Sequence, residues 1–171
     1  MQRQTTEDRE CTLERLMTEY GDQVMRTCLL YLQRRQLAED ASQETFIRAW
    51  RALDRLQSKE TEKAWLMKIA VNVCKSVLRT RARRIPDAKV SEDEIPEAGV
   101  ADRFPDNTVF DAVNALPVKY RSPVILHYYQ GLPVSDIAGI LHLPGTTVRT
   151  RLSRARALLR NELEGWYFED E

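Results

Sequence analysis

The chain has 171 residues, 26 basic and 26 acidic side chains, and 43% hydrophobic residues. This length and composition fit one domain or two small ones with compact cores. Six glycines and seven prolines are too few for a protein of strands and tight turns. Apolar residues recur at spacings of three and four, and no convincing run alternates polar and apolar residues. We therefore expect an all-α fold.

The N-terminus and the hydropathy argue against a membrane-spanning or secreted protein, and the cysteines argue against a disulfide framework or a zinc site. No apolar run approaches the roughly 20 residues that span a bilayer, and the charged start MQRQTTEDRE lacks the apolar core of a signal peptide. We expect a cytoplasmic protein with no membrane span of its own. Cys11, Cys28 and Cys74 are odd in number and far apart, which favours buried free thiols over a disulfide framework or a zinc knuckle.

The net charge of zero hides an uneven distribution. Residues 1–86 hold 17 basic and 12 acidic side chains, residues 87–106 hold 2 and 7, and residues 107–171 hold 7 of each. Five of the last seven acids lie at or beyond Glu162, so the segment before it is basic. Two basic bodies with an acidic, proline-containing connector predict two small helical domains, 1–85 and 106–171, joined by a flexible linker at 86–105.

Three helices are predicted in the first domain, from about Leu13 to Leu32, over residues 37–53, and from about Lys63 to Arg79. A loop at residues 54–62 precedes the third. The exposed face of the second helix is charged but includes Ile47, which hints at a docking surface; an ordinary solvated face is the alternative.

The exposed face of the third helix carries cations and an amide but no acid. Such a face fits a nucleic-acid backbone and exposed bases. A solvated helix end is the alternative, because the helix dipole favours cations near a C-terminus. The face consists of Lys68, Asn72, Lys75, Ser76 and Arg79.

The second domain is predicted to begin with a short helix that Asp106 caps and Pro117 closes. A further helix runs to Gly131, with Ser122 as its cap and Pro123 at its first position. The next is a short helix that ends near Leu141. We expect Leu132 to be its half-helical residue and Pro133 to occupy its first position.

The last predicted helix, residues 146–160, contains five arginines and no acid. Val148, Leu152, Ala155 and Leu159 form its apolar stripe, and Thr146 is expected to cap it. By itself this pattern also fits a solvated amphipathic helix. A short helix, a tight turn and a long basic helix together predict a helix-turn-helix whose second helix enters the major groove.

Three blocks of sequence resemble one family of proteins. They are DASQETFIRAWRALD at 40–54, AWLMKIAVNVCKSVLRTRARR at 64–84, and LPVKYRSPVILHYYQGLPVSDIAGILHLPGTTVRTRLSRARALL at 116–159. In this order, with an acidic linker between the second and third, they resemble the extracytoplasmic-function group of bacterial RNA polymerase sigma factors. The resemblance implies a sigma-2-like domain and a sigma-4-like domain, which together bind core RNA polymerase and direct it to promoter DNA.

The resemblance also implies three sets of site residues. Those expected to bind core polymerase are Asp40, Gln43, Glu44, Ile47 and Arg48, with Phe46 in the same helix and mainly in the core. Those expected to capture a base of the −10 element are Leu56, Lys68, Asn72, Ser76 and Arg79. Those expected to read the −35 element are Thr147, Arg149, Thr150, Arg151, Arg154 and Arg156.

By the same resemblance we expect an anti-sigma factor as a partner, bound at the Asp40 face or wedged between the domains. A stand-alone helix-turn-helix regulator is the alternative function, but it leaves residues 37–84 without a role. An enzyme is poorly supported, because His127 and His142 lack metal-ligand spacing and no glycine-rich phosphate loop is present. We expect neither a metal nor a cofactor.

Overall fold

The computed structural model describes residues 5–84 and 108–168, and every long element in these ranges is helical. The all-α prediction is confirmed, while the predicted linker at 86–105 lies outside the described residues. The helices are α1 (Thr6–Leu32), α2 (Arg35–Arg51), α3 (Glu62–Arg83), α4 (Thr108–Ala115), α5 (Val118–Val124), α6 (Val134–Leu141) and α7 (Gly145–Phe168). Short 3-10 turns at Leu53–Arg55 and Lys59–Thr61 precede α3, and a π-helical turn at Ile125–Tyr129 follows α5.

Helix α1 begins seven residues before the predicted start at Leu13 because Thr5 and Asp8 form a capping box. The Asp8 backbone N–H donates to Thr5 Oγ1 at 3.3 Å, and the Thr5 backbone N–H donates to Asp8 Oδ2 at the same distance. These bonds satisfy two backbone donors that a helix start leaves free. At the other end Gln33 adopts a left-handed conformation with φ 58° and donates its backbone N–H to Leu29 O.

The first three helices pack into one helical group around a buried apolar core. Leu16 and Val24 of α1, Ala49 of α2, and Leu66 and Ala70 of α3 are completely buried. Cys28 and Cys74 are buried as well, and a hydrogen bond that the Cys74 thiol donates to Cys28, together with burial, raises the pKa of Cys74. Cys11 is exposed, so the prediction of a buried thiol was wrong at this position.

The start of α5 differs from the prediction. The helix begins at Val118 with Pro117 as its N-terminal cap residue, and Pro123 lies inside it. Ser122 is therefore a buried helical residue and not a cap. Pro123 has no N–H and therefore donates no hydrogen bond within α5, and the bonding changes from α-helical to π-helical after Val124.

Two further helix starts were predicted wrongly. Pro133 is the N-terminal cap residue of α6, so the first helical residue is Val134 instead. Helix α7 begins at Gly145, and the Val148 N–H donates to Pro144 O at 3.1 Å, which places Thr146 inside the helix and not at its cap. The apolar stripe of α7 is confirmed: Val148 and Ala155 are completely buried and Leu152 is 3% exposed.

The first helical group, α1–α3, packs against a second group formed by α4–α7, which the sequence did not predict. Helices α4 and α5 and the π-helical turn contact α1, and α6 contacts α3. A single core cluster consequently includes residues of both groups. Within the described ranges no helix is both long enough and apolar enough to cross a membrane.

Candidate nucleic-acid interface

Helix α3 presents the predicted polar face to solvent. Its opposite side is anchored by Leu66, Ala70 and Val73, which are at most 2% exposed. Helical periodicity then turns the other side outward. Lys68, Asn72, Ser76 and Arg79 are exposed, and Lys75 is half-buried. The face therefore combines cations, an amide and a hydroxyl, as the spacing predicted.

An ion pair with a buried carboxylate lies at the start of α3. Glu62, in the first turn, is 3% exposed and accepts hydrogen bonds from both terminal nitrogens of Arg15 on α1. Arg15 also donates to Glu19 at 3.1 Å. The hydrogen bond with Glu62 is the main cause of the raised pKa of Arg15. The ion pair joins α1 to the first turn of α3, so it holds the two helices together at the edge of the polar face. The Glu62 carboxylate is further stabilised by the positive N-terminal end of the α3 dipole.

The segment before α3 is also tied to α1. Arg9 donates to Asp54 Oδ1 at 2.5 Å and to Trp50 O at 2.8 Å, and its guanidinium lies 5.1 Å from the Trp50 ring centroid. Leu56, predicted to help capture a base, is half-buried between the two 3-10 turns. The predicted loop, residues 54–62, is therefore tied to α1 at both ends, through Asp54 and through Glu62.

Helices α6 and α7 form the predicted helix-turn-helix. His142 adopts a left-handed conformation with φ 54°, and the Leu143 backbone N–H donates a hydrogen bond to Ala138 O at 3.0 Å. These contacts turn the chain tightly into α7. Because the apolar stripe faces inward, the predicted DNA-reading residues lie outside it: Arg149, Thr150, Arg154 and Arg156 are exposed, and Thr147 and Arg151 are half-buried.

Two tyrosines that were not predicted from the sequence lie beside arginines of α7. The Arg156 guanidinium donates to the Tyr128 hydroxyl at 3.1 Å. A hydrogen bond from Arg154 is the main cause of the lowered pKa of Tyr120. Only the packing of α5 and the π-helical turn beside α7 brings these rings to the arginines, so no local sequence signal indicates the contacts.

A third surface lies between α1 and α2 and differs in chemistry. Met17 and Ile47 are 48% and 46% exposed there. Asp40, Gln43 and Arg48 are exposed as well, and Arg48 donates to Glu44 Oε1 at 2.7 Å. The groove between the helices is lined by Leu13, Met17, Gly21, Ser42, Gln43, Phe46, Ile47 and Trp50. Phe46 is 8% exposed, as expected of a residue mainly in the core.

One cleft is lined by residues of both the α3 face and the α7 face. It lies between the helical groups and includes Asn72, Ser76 and Arg79 of α3 with Arg151 of α7. Arg48, predicted to face the polymerase, also lines this cleft. In the described part of the chain, no cluster of three or more His, Cys, Asp or Glu side chains could hold a metal ion.

Comparison with known proteins identifies the same two halves. Residues 16–84 match the family model Sigma-70 region 2, and residues 107–159 match Sigma-70, region 4. The RNA polymerase sigma-H factor of Pseudomonas aeruginosa is 30% identical over 163 residues, covering 87% of this chain and 84% of that protein. The ECF RNA polymerase sigma factor SigW of Bacillus subtilis is 32% identical over 160 residues, covering 84% of each.

Solved structures show the same architecture. The sigma factor RpoE of Bartonella quintana, in a co-crystal with the anti-sigma factor NepR, superposes with a TM-score of 0.73 at 25% identity, covering 88% of this chain and 96% of RpoE. CnrH, in complex with the cytosolic domain of CnrY, has a TM-score of 0.66 at 21% identity, covering 91% and 90%, a likeness of fold. The chain belongs to the extracytoplasmic-function group of sigma-70 factors, and it is an alternative sigma factor that binds core RNA polymerase and directs promoter-specific transcription initiation.

Proposed function

We propose that three surfaces divide the work of this sigma factor. The groove between α1 and α2 docks on core polymerase, the polar face of α3 captures a −10 base, and α7 reads the −35 element. Residues 1–85 then act as the sigma-2-like domain and residues 106–171 as the sigma-4-like domain. The observation that carries the proposal is that each surface has the chemistry its partner needs and is built from different helices.

An apolar groove with a charged rim suits a protein partner. Met17 and Ile47 remain about half exposed on a chain whose other large apolar side chains are mostly buried. Burying them against a helix of the polymerase would remove apolar surface from water, which favours association. Gln43 lines the groove, and Asp40 and the Glu44–Arg48 pair lie on the same helix, where they supply polar contacts that set orientation.

The α3 face suits an unpaired base. Extruding a base from the duplex costs a few kcal/mol, so a protein must replace the lost stacking and hydrogen bonds. Asn72 offers both a donor and an acceptor to a base edge, while Lys68 and Arg79 neutralise phosphates. Leu56, directly after the first 3-10 turn of the anchored loop, supplies an apolar contact for the base.

Helix α7 suits duplex DNA. Its apolar stripe is buried within the helix-turn-helix, and its exposed arginines and Thr150 lie outside that stripe and point to solvent. Arg154 is positioned for base edges, since arginine pairs with guanine in the major groove. Arg149 and Arg156 border the buried stripe and are assigned to phosphates, which fix register without reading sequence.

These roles require binding energy and no covalent chemistry, so we propose that the chain has no catalytic activity of its own. It acts in the cytoplasm, where core polymerase and promoters are found. The structurally similar RpoE of Bartonella quintana was crystallised with an anti-sigma factor. We extend this to the present chain as a regulatory partner that covers the Asp40 face or enters between the helical groups.

The test is transcription in vitro with core polymerase, followed by sequencing of the transcripts. Wild-type protein should give transcripts that start at promoters sharing two elements. The double variant Asn72→Ala with Arg154→Ala should lose about thirtyfold or more of this transcription, because each base contact contributes about 1–3 kcal/mol. The control, Arg35→Ala with Gln36→Ala, likewise removes one arginine and one amide side chain, from an exposed site on α2, and should leave transcription unchanged.

Two results would contradict the proposal. Unchanged specific transcription by the double variant would refute the assignment of the sites. Tight, sequence-specific DNA binding by the free chain, with no effect of core polymerase, would instead support a stand-alone helix-turn-helix regulator.

A further inference from the structure

A single arginine near the start of α1 makes three contacts with the segment that precedes α3. The two terminal nitrogens of Arg9 donate to different partners, one to Asp54 Oδ1 at 2.5 Å and the other to Trp50 O at 2.8 Å. The guanidinium also lies 5.1 Å from the centroid of the Trp50 ring. These partners are 45 and 41 positions away in the chain, so the contacts depend on the packing of α1 against α2.

The capping box at the start of α1 places Arg9 in the first turn of that helix. The Arg9 backbone N–H donates to Thr5 O at 3.1 Å, directly after the Thr5–Asp8 hydrogen bonds that begin the helix. Arg9 precedes residues 16–84, the range that matches Sigma-70 region 2, whereas its two partners lie within that range. The role of this arginine therefore follows from its contacts and not from the family match.

The contacts of Arg9 differ from those of an ordinary surface ion pair. Exposed ion pairs contribute little to stability, since the ordering of two long side chains offsets their attraction. The Asp54 side chain is 75% exposed, but that of Arg9 is only 20% exposed and is restrained by a carboxylate, a carbonyl and a ring together. A planar guanidinium can join such partners in one fixed geometry. The contacts therefore fix the position of Asp54 more than they stabilise the fold.

The position of Asp54 decides the position of Leu56. Asp54 is the middle residue of the first 3-10 turn, Leu53–Arg55, and Leu56 follows directly. The Leu56 N–H donates to Leu53 O at 3.0 Å, which closes the turn. A contact that holds Asp54 therefore also holds the half-buried Leu56 side chain two residues further on.

We propose that Arg9 is a positioning residue for capture of the −10 base, which holds the loop at residues 54–62 in the conformation that presents Leu56 to that base. The inference rests on the proposed −10 surface. Arg15 holds the other end of the same loop through Glu62, so two arginines of one helix fix both ends. A site that is ordered before binding loses less free energy than one that its ligand must order.

The test compares three variants of the full chain. Arg9→Ala removes all three contacts, while Arg9→Lys keeps the positive charge but lacks the fork of two planar nitrogens that spans Asp54 Oδ1 and Trp50 O. Arg26→Ala is the matched control, since it removes an exposed arginine of the same helix that lies outside the proposed polymerase and DNA surfaces. The Tm should fall by no more than about 4 °C in each variant, because exposed ion pairs contribute little to stability.

Hydrogen exchange of the free chain gives the first readout. The Leu56 amide, which donates within the 3-10 turn, should exchange about tenfold faster in Arg9→Ala than in wild type, because exchange follows the population of the opened turn. Arg9→Lys should be intermediate, and Arg26→Ala should match wild type. This measurement needs neither polymerase nor promoter. Unchanged exchange in a folded Arg9→Ala protein would overturn the inference.

DNA binding by the holoenzyme gives the second readout. The probes are a single-stranded oligonucleotide with the −10 element and a duplex with the −35 element, both from promoters that transcript sequencing identifies. Arg9→Ala should bind the oligonucleotide about tenfold more weakly than wild type, and Arg9→Lys about threefold, since apparent affinity falls with the population of the competent conformation. Affinity for the −35 duplex should not change, which separates positioning of the loop from a general loss of folding.

Three results would contradict the role of Arg9. Equal losses on both probes would show a general effect on folding and overturn the inference. A loss of oligonucleotide binding in Asn72→Ala without a loss in Arg9→Ala would overturn the role of Arg9 alone. Unchanged oligonucleotide binding in Asn72→Ala would show that the proposed −10 surface is wrong, and the role of Arg9 would fall with it.

Discussion

The two faces that we propose bind DNA, on α3 and α7, are held in place by different means. The α3 face is fixed from behind, by an apolar core and by the Arg15–Glu62 pair at the start of the helix. The α7 face also rests on a buried stripe, but two of its arginines contact tyrosines beside the helix. One face thus depends on the position of a whole helix, whereas the other depends on the orientation of individual side chains.

The difference fits what each face is proposed to bind. A captured base needs a preformed site, since the cost of extruding it leaves little free energy for ordering the protein. A duplex presents its base edges in a regular groove, where the direction of each guanidinium decides which base it reads. Damage behind α3 should therefore affect stability and −10 capture together, whereas damage on α7 should affect single contacts.

The largest expected effect is from Arg15→Ala, which leaves the buried Glu62 carboxylate without its main partner. The free energy of unfolding should fall by about 2–3 kcal/mol, less than for a fully buried pair because the Arg15 side chain is 40% exposed. Glu62→Gln should cost only about 1 kcal/mol, because its amide oxygen still accepts from Arg15. Urea unfolding measures both values, and equal losses would show that the pair does not anchor α3.

The sequence predicted the parts of both faces that follow helical periodicity. Asn72 and Ser76 lie at the exposed spacing, and Val148 and Leu152 at the buried one, because local geometry decides both. It did not predict the Arg15–Glu62 pair or the contact of Tyr128 with Arg156, which depend on the packing of residues 47 and 28 positions apart. The prediction from Pro123 was wrong because this proline lies inside α5 and not at its first position.

The next largest effect is expected from Arg154→Ala, which removes a proposed base contact on α7. Discrimination at one −35 base pair should fall about tenfold, since a bidentate arginine–guanine pair contributes about 1–3 kcal/mol. Promoters that lack the preferred base at that position should be nearly unaffected. Transcription by the holoenzyme from a library of −35 sequences measures this change. A uniform loss over all promoters would mean that Arg154 contacts a phosphate.

Arg156→Ala should weaken binding to all promoters and leave discrimination between −35 sequences unchanged, the opposite of Arg154→Ala. Arg156 borders the buried stripe and its guanidinium is held by Tyr128, so we assign it to a phosphate. All promoters should bind several-fold more weakly, and the slope of log affinity against log salt should become shallower by about 0.9. Titrations of holoenzyme binding at four or more salt concentrations give the slope. A change confined to particular sequences would exchange the roles of Arg156 and Arg154.

The smallest effect is expected from Tyr120→Phe, which keeps the ring and removes the hydroxyl that Arg154 contacts. If that contact orients the guanidinium, discrimination at the Arg154 base pair should fall about twofold, with unchanged stability and salt slope. The decisive comparison is a double-mutant cycle, because Tyr120→Phe should have no further effect in an Arg154→Ala background. Additive effects would show that Tyr120 acts independently of Arg154, and that the α7 arginines, like the α3 face, are oriented by their helix alone.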